Sequence, residues 1–312
     1  VCQCTLNLLG YSALALIVYR ILAAFYNILF PYFIGSPVDL HQKAGAKWAV
    51  VTGATDGIGK AYATQLAKKK FNVYLISRSQ SKLGETKKEI ESASPGVEIR
   101  TFAFDFCAST KAAYEPLIKE LEKVEIGILV NNVGMSFEYP EVLHATVGGL
   151  QRLADMTTIN CLPTVLLSAV TLNQMSKRKA GIVINIASFA AYNEMSQWNV
   201  YSATKRFVLH LSGILRAEYA PEGVAIQTIA PLLVATNMSK IKRTSFFGPF
   251  ADAFVEQALR SVGLVDETTG YFAHQIQLEL MGLMPRLLRD AILRSTTMTI
   301  RDGALKKLAK EQ

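Results

Sequence analysis

The chain has 312 residues, half of them hydrophobic and 19% charged, with a formal net charge of +8. That make-up excludes a disordered or collagen-like chain and is ample for a full globular core. The charge sits at the ends: residues 1–47 carry Arg20, Lys43 and Lys47 against Asp39, and residues 286–312 carry seven basic against three acidic side chains. The body between them is nearly balanced, which argues against a nucleic-acid groove and favours attraction of the basic tail to an anionic membrane face.

The first element is apolar. Residues 6–34 hold one charge, Arg20, in a run rich in Leu, Ile, Ala and Tyr. As a helix it measures about 44 Å, longer than the ~30 Å hydrocarbon core of a bilayer. It lacks an A-x-A cleavage site and the polar residue per turn of an amphipathic core helix. We read 1–46 as membrane anchor and linker, with 6–34 either one tilted span or two half-buried pieces. Arg20 falls near the middle of the run, where a charge costs about 2.5–3.5 kcal/mol unless it snorkels or pairs. Lys43 and Lys47 follow the run and no charge precedes it, so the positive-inside bias puts the body in the cytoplasm. Cys2 and Cys4 are candidates for acylation. Four cysteines without CxxC spacing and four scattered histidines give neither a disulfide scaffold nor a metal site.

From residue 47 onward, apolar runs alternate with helical patterns. The predicted strands are 47–52, 72–77, 97–104, 126–131, 182–187 and 224–230. The predicted helices are 59–70, 80–93, 109–123, 144–178 and 201–220. Near-continuous apolar strands are those covered on both faces, so the fold class is α/β, a doubly wound parallel sheet of Rossmann type in one catalytic domain, 47–312. After Thr236 the pattern loosens, and 237–312 is assigned to covering the substrate and facing the membrane. A seventh strand has only a weak candidate, 270–276.

The first strand ends in Thr52-Gly53-Ala54-Thr55-Asp56-Gly57-Ile58-Gly59, and a helix follows. Gly53 suits a tight turn, Gly57 close backbone approach to a pyrophosphate, and Gly59 tight helix–strand packing, with the helix N-terminus facing the phosphates. The second strand ends in Ser77-Arg78. A NAD site would place an acidic residue there for the ribose 2′-hydroxyl. Arg78, with Lys82 one turn on, suits a 2′-phosphate and points to NADPH.

Tyr201 is the one tyrosine of twelve with a lysine four residues later, in Tyr201-Ser202-Ala203-Thr204-Lys205. On a helix these two share a face, and an ammonium beside a phenol lowers its pKa and makes it a usable acid. Ser188, just after an apolar strand, is placed to hydrogen-bond a substrate carbonyl.

With these motifs assembled, residues 47–236 resemble a short-chain dehydrogenase/reductase. The motifs are TGATDGIG at 52–59, Asp105-Phe106, NNVG at 131–134, Asn160, Ser188, YSATK at 201–205 and Pro231 to Thr236. The resemblance implies a catalytic tetrad of Asn160, Ser188, Tyr201 and Lys205. Tyr201 would protonate, Ser188 would hold the carbonyl, Lys205 would bind the nicotinamide ribose, and Asn160 would hold a relay water. It also implies Asp105 at adenine, Asn132 at the ribose and Thr236 at the nicotinamide amide. Longer stretches, GATDGIGKAYA, LISRSQSKL and EIGILVNNVGMSFEYPEVL among them, resemble one membrane-bound subfamily. It contains very-long-chain 3-oxoacyl-CoA reductases and the 17-beta-hydroxysteroid dehydrogenases of types 3 and 12. That implies an NADPH-dependent ketone reductase of lipid metabolism in the endoplasmic reticulum membrane. Its substrate would be a long-chain 3-oxoacyl-CoA, with a steroid ketone as the alternative and a non-catalytic NADPH-binding adaptor a distant third. Fatty-acid elongation enzymes and a homodimer through the two long helices are the implied partners.

Pro231-Leu232 departs from the family's usual Pro-Gly. Two readings stay open. Phe246, Phe247, Phe250 and Phe254 either line an apolar lid or pack the core. The Pro-interrupted stretch from Met281 to Ile292 either lies on a membrane or is buried.

Overall fold

The computed structural model describes residues 2–241 and 243–311. The apolar N-terminal run is one continuous helix, α1 (Cys2–Leu29), which passes directly into a π-helical turn over Phe30–Ile34; it is not a hairpin. A short helix α2 (Leu40–Ala44), capped by Asp39, then leads into the sheet.

The body follows β1 (Trp48–Thr52), α3 (Gly57–Lys68), β2 (Asn72–Ser77), α4 (Gln80–Ala93), β3 (Ile99–Ala103), α5 (Lys111–Leu121), β4 (Ile126–Asn131), α6 (Gly149–Arg178), β5 (Gly181–Ile186), α7 (Asn199–Tyr219) and β6 (Val224–Ile229). After these come α8 (Ala251–Arg260), β7 (Glu267–Thr268), α9 (Phe272–Leu283) and α10 (Arg286–Glu311). The strands form one parallel sheet in the order β3-β2-β1-β4-β5-β6-β7. Side chains of β1, β4 and β5 feed two apolar clusters, one on each face of the sheet. That double burial is why these strands read as unbroken apolar runs. Local capping sets the helix starts: Asp56 accepts from Gly57 N–H at α3, Ser79 caps α4 and Thr110 caps α5.

The predicted seventh strand is corrected. Strand β7 is the two-residue Glu267–Thr268, and 270–276 is a turn followed by the first residues of α9. Gly270 has φ +78°, and a Cβ there would stand 2.7 Å from the Ile229 Cγ2; the chain reverses where a strand would have continued. The phenylalanines divide. Phe254 is fully buried in the core, while Phe246, Phe247 and Phe250 are exposed. Leu283, Leu287, Leu288 and Ile292 are exposed too, so the C-terminal apolar stretch is not a core helix.

Helix α6 is long and apolar enough to cross a membrane by composition. It buries Met156, Leu167, Leu172 and Met175 against the sheet and α7, and it is a sheet-covering helix.

The end of α1 is bound to the body. The Tyr32 hydroxyl and Thr268 Oγ1 are 2.6 Å apart, Arg260 donates to the Gly35 carbonyl at 3.0 Å, and Phe33 meets Phe272 edge-to-face with ring centroids 4.7 Å apart.

Candidate active site

The strand order reverses direction between β1 and β4, the point beyond the carboxyl ends of the strands where open α/β sheets form their ligand crevice. The candidate residues stand at those ends: Gly53 after β1, Ser77 and Arg78 at β2, Asp105 after β3, Asn132 after β4, Ser188 after β5 and Thr236 after β6.

The turn after β1 has the geometry that its glycines suggest. Gly53 and Gly57 have φ +65° and +52°, and a Cβ on Gly59 would collide with the Gly53 carbonyl and the Asn132 amide. Ile58 packs onto the core cluster and holds the start of α3 down. Thr52 Oγ1 accepts from the N–H groups of Asn132 and Val133 at 3.0 Å, and the Asn132 amide donates to the Thr52 carbonyl at 2.9 Å. β1 and β4 are thereby clamped at the point where the sheet reverses.

Thr55 and Ser77 hydroxyls are 2.9 Å apart, joining the phosphate turn to the end of β2. Arg78, the next residue, is exposed, as is Lys82. Asp105 caps its own turn by accepting from Cys107 N–H at 3.0 Å; burial and that carboxylate push the Cys107 thiol up to about 11. The residues fit a nicotinamide dinucleotide: a cradle that any Cβ would fill, a helix N-terminus facing it, and an exposed guanidinium at the second strand end. Thr236 lies over that cradle, its methyl 2.9 Å from where a Gly57 Cβ would be. Its neighbour Asn237 donates to both Asp56 carboxylate oxygens at 3.1 Å.

On the other side of the crevice, Ser188 accepts from Ala190 N–H at 3.2 Å and its hydroxyl meets the Tyr201 phenol. Burial raises the Tyr201 pKa above its usual value, and the Ser188 hydrogen bond opposes that rise. Lys205 Nζ lies 5.9 Å from the Tyr201 ring centroid and donates to the Ile186 carbonyl at 3.0 Å. Burial pushes Lys205 down to about 8. An ammonium so close to neutrality is sensitive to whatever occupies the crevice.

Asn160 is buried on α6. Its amide donates to the Met135 carbonyl and to Thr204 Oγ1, both at 3.0 Å, and its Oδ1 accepts from Met135 N–H at 2.8 Å. Both amide donors are engaged, so a water there has only the second lone pair of Oδ1. The side chain fastens the loop after β4 to the helix that carries Tyr201. Gly134 lies under it, and a Cβ there would stand 2.8 Å from Asn160 Oδ1 and 3.3 Å from Lys205 Nζ.

Sequence reasoning missed three supporting groups. Asn131 donates to Asn185 Oδ1 at 2.8 Å and to Ser168, and Asn185 donates to Ser212 at 2.9 Å, a buried chain across β4, β5, α6 and α7. His274, fully buried, accepts from Leu232 N–H at 3.4 Å and, through Nε2, reaches the Phe247 carbonyl at 3.2 Å; burial pushes its pKa down to about 4. Leu232 needs no glycine, since its φ is not positive. Third, Glu141, after β4, accepts from Arg301 of α10 at 2.6 Å. Only the adjacent asparagines of NNVG signalled any of this in the sequence.

The matching sequence family is short chain dehydrogenase, over residues 47–245, and the chain belongs to that family, as an oxidoreductase acting on CH–OH groups with a nicotinamide cofactor. It is 56% identical over 310 residues to the very-long-chain 3-oxooacyl-coA reductase let-767 of Caenorhabditis elegans, covering 99% of this chain and 98% of that protein. It is 48% identical over 298 residues to a second protein of that nematode, provisionally named steroid dehydrogenase 2, covering 96% and 95%. Among solved structures, it is similar to a metagenomic short-chain oxidoreductase in complex with NADP, at 30% identity and TM-score 0.53, covering 59% of this chain and 81% of that one.

Proposed function

We propose that the chain reduces the 3-keto group of a long-chain 3-oxoacyl-CoA with NADPH. The observation that carries the reduction is Tyr201 with Ser188 at its hydroxyl and Lys205 beneath its ring. The bound nicotinamide supplies the hydride. Ser188 and Tyr201 donate hydrogen bonds to the ketone oxygen, Tyr201 gives its proton to the alkoxide as charge develops, and Lys205 holds the ribose and steadies the phenolate left behind. Asn160 keeps the loop after β4 and the Tyr201 helix in register. Gly53, Thr55, Asp56, Gly57, Ile58 and Gly59 shape the phosphate cradle, Asp105 and Asn132 flank adenine and ribose, and Thr236 closes over the nicotinamide end. Ser77, Arg78 and Lys82 favour the 2′-phosphate of NADPH, and the similar NADP complex supports that choice.

The acyl-CoA substrate is supported by 56% identity across nearly the whole of a protein with that activity in its name. The steroid reading is kept because a relative at 48% carries that provisional name. We assign 1–46 to anchor and linker and 237–312 to substrate cover and membrane face. The enzyme sits in the endoplasmic reticulum membrane, body in the cytoplasm, beside the other elongation enzymes. Exposed Val165, Phe207 and Ile214 on α6 and α7 suit a homodimer. NADPH oxidation by membrane fractions given a long-chain 3-oxoacyl-CoA or a 17-keto steroid tests the substrate. Turnover of the acyl-CoA is expected, and turnover of the steroid alone would reverse the assignment.

A further inference from the structure

The exposed part of α1 has a definite length. The apolar helix with its π turn runs over Gln3–Ile34, 32 residues. A bilayer core of ~30 Å takes about 20 of them at 1.5 Å each. Every residue from Gln3 to Leu22 is exposed; the body first touches the helix at Ala23 and Ala24, while Phe25, Tyr26, Phe33 and Ile34 stay exposed. A 20-residue span set on the fully exposed stretch, Gln3–Leu22, ends where the body first touches the helix and puts Arg20 at its body-side end, within snorkelling reach of the headgroups.

Helix α9 runs antiparallel along the covered part. Phe272 meets Phe33, and the Asn27 amide donates to Glu279 at 3.0 Å. One more turn brings Leu283 level with Ala23, at the bilayer edge. At that height the chain bends at Pro285 into α10. Leu280, Leu283, Leu287 and Leu288 are 53%, 48%, 86% and 52% exposed there. Arg286, Arg289 and Arg294 stand among them, against Asp290 and Glu194, which bind Arg286 at 3.4 Å each. A cluster of leucines ringed by arginines, continuous with a membrane helix, has the chemistry of an interfacial anchor on anionic lipid.

We propose that the elbow joining α9 and α10 is a second membrane contact, its leucines seated in the headgroup layer of the bilayer that α1 enters. This rests on the reading of α1 as a membrane anchor. Its consequence is positional: Glu194, held by Arg286, lies in the loop that leads to Tyr201, so the elbow sets the substrate side of the crevice against the lipid.

The test uses the full chain with its native cysteines changed to Ser, in phosphatidylcholine vesicles containing phosphatidylserine. Single cysteines replace Leu14 (mid-span), Leu287 (elbow) or Lys88 on α4, at the opposite edge of the sheet. Each carries an environment-sensitive nitrobenzoxadiazole label, quenched by lipids brominated either near the carbonyl or deep in the chain. Position 287 should be quenched, more by the shallow bromines; 14 should be quenched more by the deep ones, and 88 by neither. Quenching at 14 but not at 287 overturns the proposal and leaves the anchor standing. No quenching at 14 overturns the anchor reading itself. Self-quenching between 287-labelled copies without lipid quenching makes the face a contact between two chains and also overturns the proposal.

Discussion

Replacing Lys205 by Met should remove activity without destabilising the cofactor-free protein. Lys205 is 5% exposed and, among the described residues, pairs with no carboxylate and donates to the Ile186 carbonyl. Its pKa falls from 10.5 to about 8, so holding it charged at pH 7 costs about 3 kcal/mol at 1.36 kcal/mol per unit. Methionine fills similar space without charge but leaves the Ile186 carbonyl without its partner, a loss of about 1–3 kcal/mol. The two effects leave the variant more stable by up to about 2 kcal/mol near pH 7. The pH dependence is the sharper signature. Below pH 8 the folded protein carries the full penalty. Between about 8 and 10.5 the unfolded chain binds more protons than the folded one, so wild-type stability rises, and above 10.5 the penalty is gone. The variant lacks this rise, and all other groups cancel in the difference. Urea unfolding of both proteins in detergent, from pH 7 to pH 10.5, measures it. A difference between the two that does not change with pH would refute the buried, depressed lysine.

The same lysine predicts that ketone reduction declines as pH rises through about 8, as Lys205 loses its charge and with it the hold on Tyr201; a pH profile of kcat/KM that is flat to pH 10 would contradict this. Tyr201→Phe removes the proton donor, so kcat should fall by about 10²–10⁴-fold with NADPH binding, followed by its fluorescence, nearly intact. Arg78→Ala loses a charge-assisted hydrogen bond worth about 1.5–3 kcal/mol, so the preference for NADPH over NADH should drop at least about tenfold in steady-state kinetics. His274 is neutral when folded, with a pKa near 4 against 6.5 when free. It therefore contributes stability that is complete above pH 6.5 and is lost as pH falls toward 4. His274→Gln should flatten that acid slope in urea unfolding.

How much of this was legible depended on whether function or burial wrote a local pattern. The strands were readable because a parallel sheet buried on both faces admits little but Val, Ile, Leu and Ala. The phosphate turn was readable because positive φ at Gly53 and Gly57 excludes other residues. Strand β7 was not, because two residues form no pattern and the apolar residues after it belong to a helix. The uses of Asn160 and Asn185 were hidden for another reason. Each bonds to partners far along the chain, and an asparagine in sequence does not say which carbonyl it will find.

The apolar ends were ambiguous for a physical reason as well. An exposed leucine on a helix reads the same whether lipid, a lid or a core covers it, so Leu283 and Leu287 had no reading of their own. Geometry decides between those coverings only when a ruler is present, and α1 supplies one. Its 32 residues exceed what a bilayer needs by about 12, and the body first touches the helix, at Ala23 and Ala24, where that excess begins if the span is set on the fully exposed stretch. On the proposed span over 3–22, Arg20 would leave the costly centre of a 6–34 span for its body-side end, where a snorkelling guanidinium reaches water and headgroup oxygens. A span over 3–22 thus removes the one electrostatic objection to the anchor. On that span, with the elbow at the same bilayer edge, Arg20 would stand on the same side as Arg286, Arg289 and Arg294, and the basic charge of the two chain ends would gather on one face.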